Sequence, residues 1–404
     1  SYSHYRANFD VVRAFVDNSA DTIDFLKDLG VEYKTVTIAA YDDPNEVWTF
    51  HLPDGLGARV QELLLSAVEH AGVDIFTETP ATELIIEDGK VVGVVAESEG
   101  EPLRVGGKAV VLATGGMGSN PELIAKYSWF APSAYNMNTL TPLQNMGDGL
   151  MMALSAGADD ANIVTCPILA AGARDKAMDS HIGAAGVQPG AIWINKTGRR
   201  FANEGTAENI GDIGPLYGKQ PDGIVWSVLD QANIDRLAEN GSEISIGEFV
   251  VFGRPLDRLR MELDQDVADG VAFAANTPEE LAEKIGVSPE NFAATVAAYN
   301  EACAAGDDKE FFKQEKYLRP LSTPPFYAVA LATGTMGSAG GIRINGNMQV
   351  VDKDYEPIPG LYAVGLDATG LYGDSYNMEV PGAANGFAHT SGRIAGRHFA
   401  AQQA

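Results

Sequence analysis

The chain has 404 residues, enough for two domains or one large interrupted one, and its 45% hydrophobic content suffices for a packed core. A net charge of −27, from 55 acidic against 28 basic residues, sets aside a surface that tracks phosphates, because nucleic acid and anionic lipid would be repelled at long range. Two widely separated cysteines, Cys166 and Cys303, with no C-x-x-C and no histidine-rich tract, indicate neither a disulfide framework nor a metal site and read as buried small apolar residues.

The longest apolar runs fall well short of a membrane-spanning helix, and the opening SYSHYRANFD lacks the charged-then-apolar layout of an export signal. The chain therefore reads as soluble as given. Its compartment stays open between the cytoplasm and a cell envelope reached through a signal outside this sequence.

In chain order, apolar residues at Val12, Phe15, Val16, Ile23 and Leu26 predict an amphipathic helix over 9–29, broken at Asn18 and terminated by Gly30. A second helix is expected over 57–72. Asp88-Gly89 then sits between two β-rich runs and predicts a hairpin. Lys108 to Gly116 (KAVVLATGG) has the continuous apolar run and glycine pair of a buried parallel strand ending in a tight turn. Thr277-Pro278-Glu279-Glu280 and Ser288-Pro289-Glu290 each carry the cap, proline and acid order of a helix start. The stretch 307–320 is expected to be a surface connection. Strand–helix alternation at both ends, around an irregular glycine-rich and helical middle, suggests an α/β domain interrupted by an inserted one.

Two strands end in glycine-rich turns, Leu112 to Gly116 and Leu361 to Asp367. Bare backbone at such turns can approach a planar ring or a pyrophosphate, and converging strand ends are where open α/β sheets bind ligands. A last helix is expected from near Pro381 to His398. Its small opening residues expose backbone N–H groups, and the helix dipole favours partial negative charge there. From this segment alone a packed terminal helix with a proline start remains an equal reading.

Six blocks in register carry a family resemblance: DGKVVGV (88–94), VVLATGG (110–116), NMGDGLMMALSAGA (145–158), WINKTGRRFANE (193–204), TVAAYNEACAAGDDKEF (295–311) and the C-terminal block 324–396. The chain resembles the fumarate reductase, succinate dehydrogenase flavoprotein and 3-ketosteroid dehydrogenase family of FAD oxidoreductases. The resemblance implies an α/β fold with a discontinuous Rossmann-like FAD domain (1–150 and 324–404) and an inserted capping or substrate domain (151–323). It places FAD on Ala113, Thr114, Gly115 and Gly116, on Asp148, on Gly365, Leu366 and Asp367, and on Gly382, Ala383 and Ala384. The family has Gly-Glu where this chain has Gly365-Leu366-Asp367, so Asp367 either takes the glutamate's role or marks an insertion or lost contact. No G-x-G-x-x-G is present. Resemblance to the family's later part implies that the βαβ unit holding the pyrophosphate is absent, so the chain is a fragment or another polypeptide supplies that half, and FAD would bind weakly without it.

The resemblance implies hydride transfer between FAD and the β-carbon of an activated C=C bond, with a protein acid or base handling the proton at the α-carbon. Fumarate-reducing members clamp carboxylates with arginines and histidine, but Thr335–Gly341 has no histidine and Gly373–Gly382 no arginine. Fumarate is therefore excluded, and an enone or unsaturated acid is expected. Tyr372, Asp374 and Tyr376 stand where the clamp would be, with Tyr376 as acid/base or as an aromatic packed over the site. Arg200 and Glu204 match a relay motif but equally suit a structural salt bridge, Arg199 is expected at the surface, and His181 is a pocket-lining or surface residue. The alternatives are a ketosteroid-type dehydrogenase running the same step in reverse and a non-catalytic fragment with half a flavin site. The electron donor stays open.

Overall fold

The computed structural model describes residues 6–38, 48–127, 143–161, 163, 165–174, 176, 180–208, 210–244, 252–373, 380 and 382–403. Helix α1 (Phe9–Asp28) starts where Asn8 Oδ1 accepts the Asp10 N–H at 3.0 Å, with acidic Asp10 in the first turn. It runs unbroken through Asn18, whose side chain turns back to donate to the Ala14 carbonyl at 2.8 Å and so does not compete for the helix ladder. Gly30, at φ +96°, ends it as expected. Strands β1 (Tyr33–Ile38) and β2 (Trp48–Pro53) pair antiparallel, and α2 (Leu56–His70) follows. Val60 of α2 packs with Leu26 and Val31 in a small cluster.

Strands β3 (Ala81–Glu87), β4 (Lys90–Ser98) and β5 (Glu101–Gly106) form an antiparallel meander. Its first turn is the expected Asp88-Gly89, both at positive φ (50° and 77°), which matches the twist of a two-residue hairpin. Strand β6 (Val110–Leu112) leads through the glycine turn towards α3 (Pro121–Tyr127), with α4 (Asp148–Ser155) beyond it. The β6 run was expected to be buried, yet Leu112 is 3% exposed and Val111 46%. Neighbouring residues of a strand face opposite sides, so Leu112 joins the core while Val111 points away from it.

The middle of the chain is less irregular than its sequence suggests. Strands β7 (Thr165–Ala173), β8 (Ile192–Asn195), β9 (Val225–Asp230) and β10 (Ala272–Ala275) join β11 (Phe326–Gly340) in one antiparallel sheet. Most are four to six residues long, too short to show a period. Packed with them are α5 (His181–Gly186), α6 (Ile210–Gly218), α7 (Gln231–Asn240), α8 (Leu259–Ala268), α9 (Pro278–Ile285) and α10 (Pro289–Ala305). Both expected caps are made: Thr277 Oγ1 accepts from Glu280 N at 3.2 Å, and Ser288 Oγ from Asn291 N at 3.3 Å. The stretch 307–320 is exposed over much of its length, as expected of a surface connection, but it also sends side chains into the core. Asp308, Lys313, Tyr317 and Leu318 are buried, because the first two complete an ion network described below. Cys303 is half-buried against the neighbouring core, and the side chain of Cys166 lies outside the described residues.

Beyond β11, β12 (Ile342–Arg343), β13 (Gln349–Val351), β14 (Pro357–Ala363), β15 (Ala368–Thr369) and α11 (Ala383–Gln403) complete the chain. Strand β14 pairs parallel with β6, and β12 parallel with β15. Strand β14 stops at Ala363, short of the expected Asp367, because residues 365–367 curl into a single tight helical turn. Helix α11 begins two residues later and ends five residues later than its expected limits.

The cores sort by chain segment. One cluster joins Val11, Val91, Leu112, Met117 and Leu150 to Ile342, Leu361, Ala363 and Phe387, so both ends of the sequence share it. Three further clusters draw their buried residues from 182–331 alone. The architecture is α/β. Among the described residues no helix is long and apolar enough to cross a membrane.

Candidate functional site

Because β6 and β14 are parallel and in register (Leu112 opposite Ala363), their C-terminal ends deliver the turns 113–116 and 365–367 side by side. Gly115 and Gly116 sit at φ +87° and +80°, where a side chain would be strained. A Cβ on Gly116 would also meet Ser338 Oγ at 2.5 Å and the Leu366 carbonyl at 3.0 Å, and one on Gly115 would meet Asn145 Oδ1 at 2.6 Å. These glycines are close-approach positions as well as turn formers.

The two turns are tied by Asp367, 2% exposed. Its carboxylate accepts the Thr114 N–H, the Gly116 N–H at 2.9 Å and the Thr114 hydroxyl at 2.9 Å. Thr114 Oγ1 in turn accepts from Gly149 N at 3.1 Å, which brings in the N-terminus of α4, where Asp148 lies exposed. Burial is the main force raising the Asp367 pKa above the usual carboxylate range, with the nearby Asp148 charge adding to it, while the bonds from Thr114 and Gly116 pull it down.

Gly365 N donates to Ser391 Oγ at 2.9 Å, which pins the second turn to α11. At the head of that helix, Ala383 and Ala384 pack with Leu366, Leu371 and Tyr372 in a small apolar cluster. Gly382 is exposed, with open space above its α-carbon. Ala113 to Gly116, Asp148, Gly365 to Asp367 and Gly382 to Ala384 thus stand on linked elements. Tyr372 is buried beside them, and Asp374 and Tyr376 lie outside the described residues.

Arg200 and Glu204 lie elsewhere, in the region of the five-stranded sheet. Arg200 Nε and Nη2 fork onto Glu204 Oε1 and Oε2 at 3.0 and 2.7 Å, and Nη2 also reaches Asp308 at 2.9 Å. Trp193 N donates to Glu204, and Lys313 Nζ stands 3.3 Å from it while bonding the Ala191 carbonyl and Tyr299 hydroxyl. The Arg200 guanidinium lies over the rings of Tyr299 and Phe311. Burial would raise the Glu204 pKa, but Lys313 and Arg200 outweigh it and hold the carboxyl below its usual range. This closed geometry favours an anchor over a relay. Arg199 is exposed as expected, and His181 opens α5 with its side chain 17% exposed, Nδ1 accepting from Arg258 N at 2.9 Å.

Sequence reasoning missed Ser338 and Asn145. Ser338 Oγ accepts Met117 N at 2.7 Å and, like Asn145, abuts the glycine turn. The glycine-rich TMGSAGG at the end of β11 was the available signal for Ser338.

These features make the parallel strand ends a candidate nucleotide-cofactor site in an α/β fold. The sequence family described as FAD binding domain matches residues 2–381, and the chain belongs to that family, whose cofactor is FAD. It is 34% identical to a vinyl phenol reductase of Lactiplantibacillus plantarum over 99% of this chain and 82% of the relative. It is 29% identical to an NADH:acrylate oxidoreductase of Vibrio harveyi over 96% of this chain, but spans only 36% of that relative. Among solved structures, the open conformation of a flavocytochrome c3 fumarate reductase superposes with a TM-score of 0.68 at 27% identity, covering 98% of this chain and 64% of that one. The strained glycines, the small residues at the head of α11 and the space over Gly382 fit a flat ring system laid against backbone.

Proposed function

We propose that this chain reduces an activated C=C bond, in an enone or unsaturated acid other than fumarate, and that FAD is held where β6, β14, α4 and α11 meet. The convergence of the 113–116 and 365–367 turns on the small-residue head of α11 carries this reading. FAD, when bound, supplies the hydride. The chain's own residues do the rest: backbone at Ala113 to Gly116 and at Gly382 to Ala384 holds the cofactor, and Tyr376 donates the proton to the neighbouring carbon or carbonyl oxygen. Leu366, Leu371 and Tyr372 give the site an apolar wall, which suits a substrate without paired carboxylates. The printed names of two relatives, a vinyl phenol reductase and an NADH:acrylate oxidoreductase, support a C=C substrate other than fumarate, and acrylate is an unsaturated acid. Residues 1–150 and 324–404 form the FAD domain in this reading, and 151–323 cap it, supported by the core shared between the two chain ends.

The Tyr376→Phe substitution tests the proton donor. Turnover is expected to fall about 100-fold or more, with FAD affinity unchanged. An unchanged kcat would remove Tyr376 from the mechanism.

A further inference from the structure

Among the described residues Asp367 is a carboxylate with no ion-pair partner. Its hydrogen-bond partners are N–H and O–H groups on Thr114 and Gly116, and the charge of Asp148 repels it. An aspartate 2% exposed needs its hydrogen bonds to offset its desolvation, so those bonds fix the loop that supplies them. The turn has other ties, Gly147 N donating to the Gly116 carbonyl at 3.0 Å and Met117 N to Ser338 Oγ at 2.7 Å, but the Thr114 and Gly116 N–H groups are both held by Asp367.

We infer that Asp367 is a positioning residue: a buried latch that draws the Thr114 and Gly116 amides inward and sets which backbone atoms of the 113–116 turn face the cofactor. A cofactor contact was expected at Asp367 itself, whereas its carboxylate is spent on the protein. The Thr114 hydroxyl extends the latch to Gly149, so one side chain registers the end of β6, the end of β14 and the start of α4. This inference rests on the proposed FAD site for its functional consequence, but not for the latch.

Asp367→Asn keeps the shape while turning one acceptor oxygen into an N–H₂ donor, so either Thr114 N or Gly116 N must face a donor. Amide hydrogen exchange on the full chain reads the latch without cofactor. Exchange at Thr114 and Gly116 should rise roughly tenfold or more, while Val94 in β4 and Ala328 in β11 keep their protection. FAD affinity, read by quenching of flavin fluorescence, should fall roughly tenfold. Unchanged exchange at 114 and 116 overturns the latch. Faster exchange with wild-type FAD affinity overturns the positioning role and leaves the FAD site standing. If neither protein takes up FAD, the functional reading fails while the exchange rates still decide the latch. Should Asp367→Asn not fold, Thr114→Val removes only the hydroxyl arm; faster exchange at Gly149 and Gly116 then supports the latch, and unaltered exchange overturns it.

Discussion

Glu204 shows how much one buried side chain holds in place. It accepts from Arg200, Lys313 and Trp193, and it is fully enclosed. Removing its charge leaves two buried cations, Arg200 and Lys313, with Asp308 as the remaining anion of the network, so Glu204→Gln should destabilise the protein by about 3–5 kcal/mol in urea unfolding. The pH dependence follows from the direction of its shift. A carboxyl held below its unfolded value near about 4.3 contributes stability above that pH and loses it as pH falls through the folded pKa. The acid limb of the wild-type stability profile should therefore flatten in Glu204→Gln; an unaltered limb would show that other carboxyls control it. The motif RRFANE was visible in the sequence, but its partners were not. Asp308 and Lys313 lie over a hundred positions away, in a charged stretch that reads as surface because nothing local reveals which charges are paired.

Local signals placed elements well, and long-range contacts decided their details. The Asp88-Gly89 hairpin, the proline-started helices α9 and α10 and the strand that leads into the 113–116 turn all follow from neighbouring residues. The exposure of Val111, the five-stranded sheet and the packing of Ser338 on Gly116 depend on which segments meet, which no local pattern encodes. Two glycines separate these influences. Gly89 sits at φ +77° with nothing within 4 Å of a Cβ, so Gly89→Ala should cost about 1 kcal/mol and leave FAD affinity intact. Gly116 has a similar φ, but its Cβ would strike the backbone of Ser338 and Leu366. Gly116→Ala should add about 1–3 kcal/mol of strain and weaken FAD binding as well. Equal effects of the two substitutions on affinity would mean that the Gly116 turn is not part of the cofactor site.

At the scale of the molecule, the shared core of the two chain ends and the long strand β11 matter most. Phe326 to Leu331 of β11 pair with β9, and Leu331 to Gly340 pair with β7. Ser338, near the end of the strand, then bonds Met117 N beside the Gly116 turn, so one strand links the five-stranded sheet to the proposed FAD site. The resemblance carried by six blocks of sequence anticipated the family, and the comparisons bear it out. Reaction and substrate are tested most directly by anaerobic photoreduction of the FAD-loaded chain, followed by flavin reoxidation with acrylate, a cyclic enone or fumarate. The acrylate or the enone should reoxidise the flavin roughly 100-fold faster than fumarate. Reoxidation by fumarate at an equal or greater rate, or by none of the three, would contradict a C=C reductase built without a carboxylate clamp.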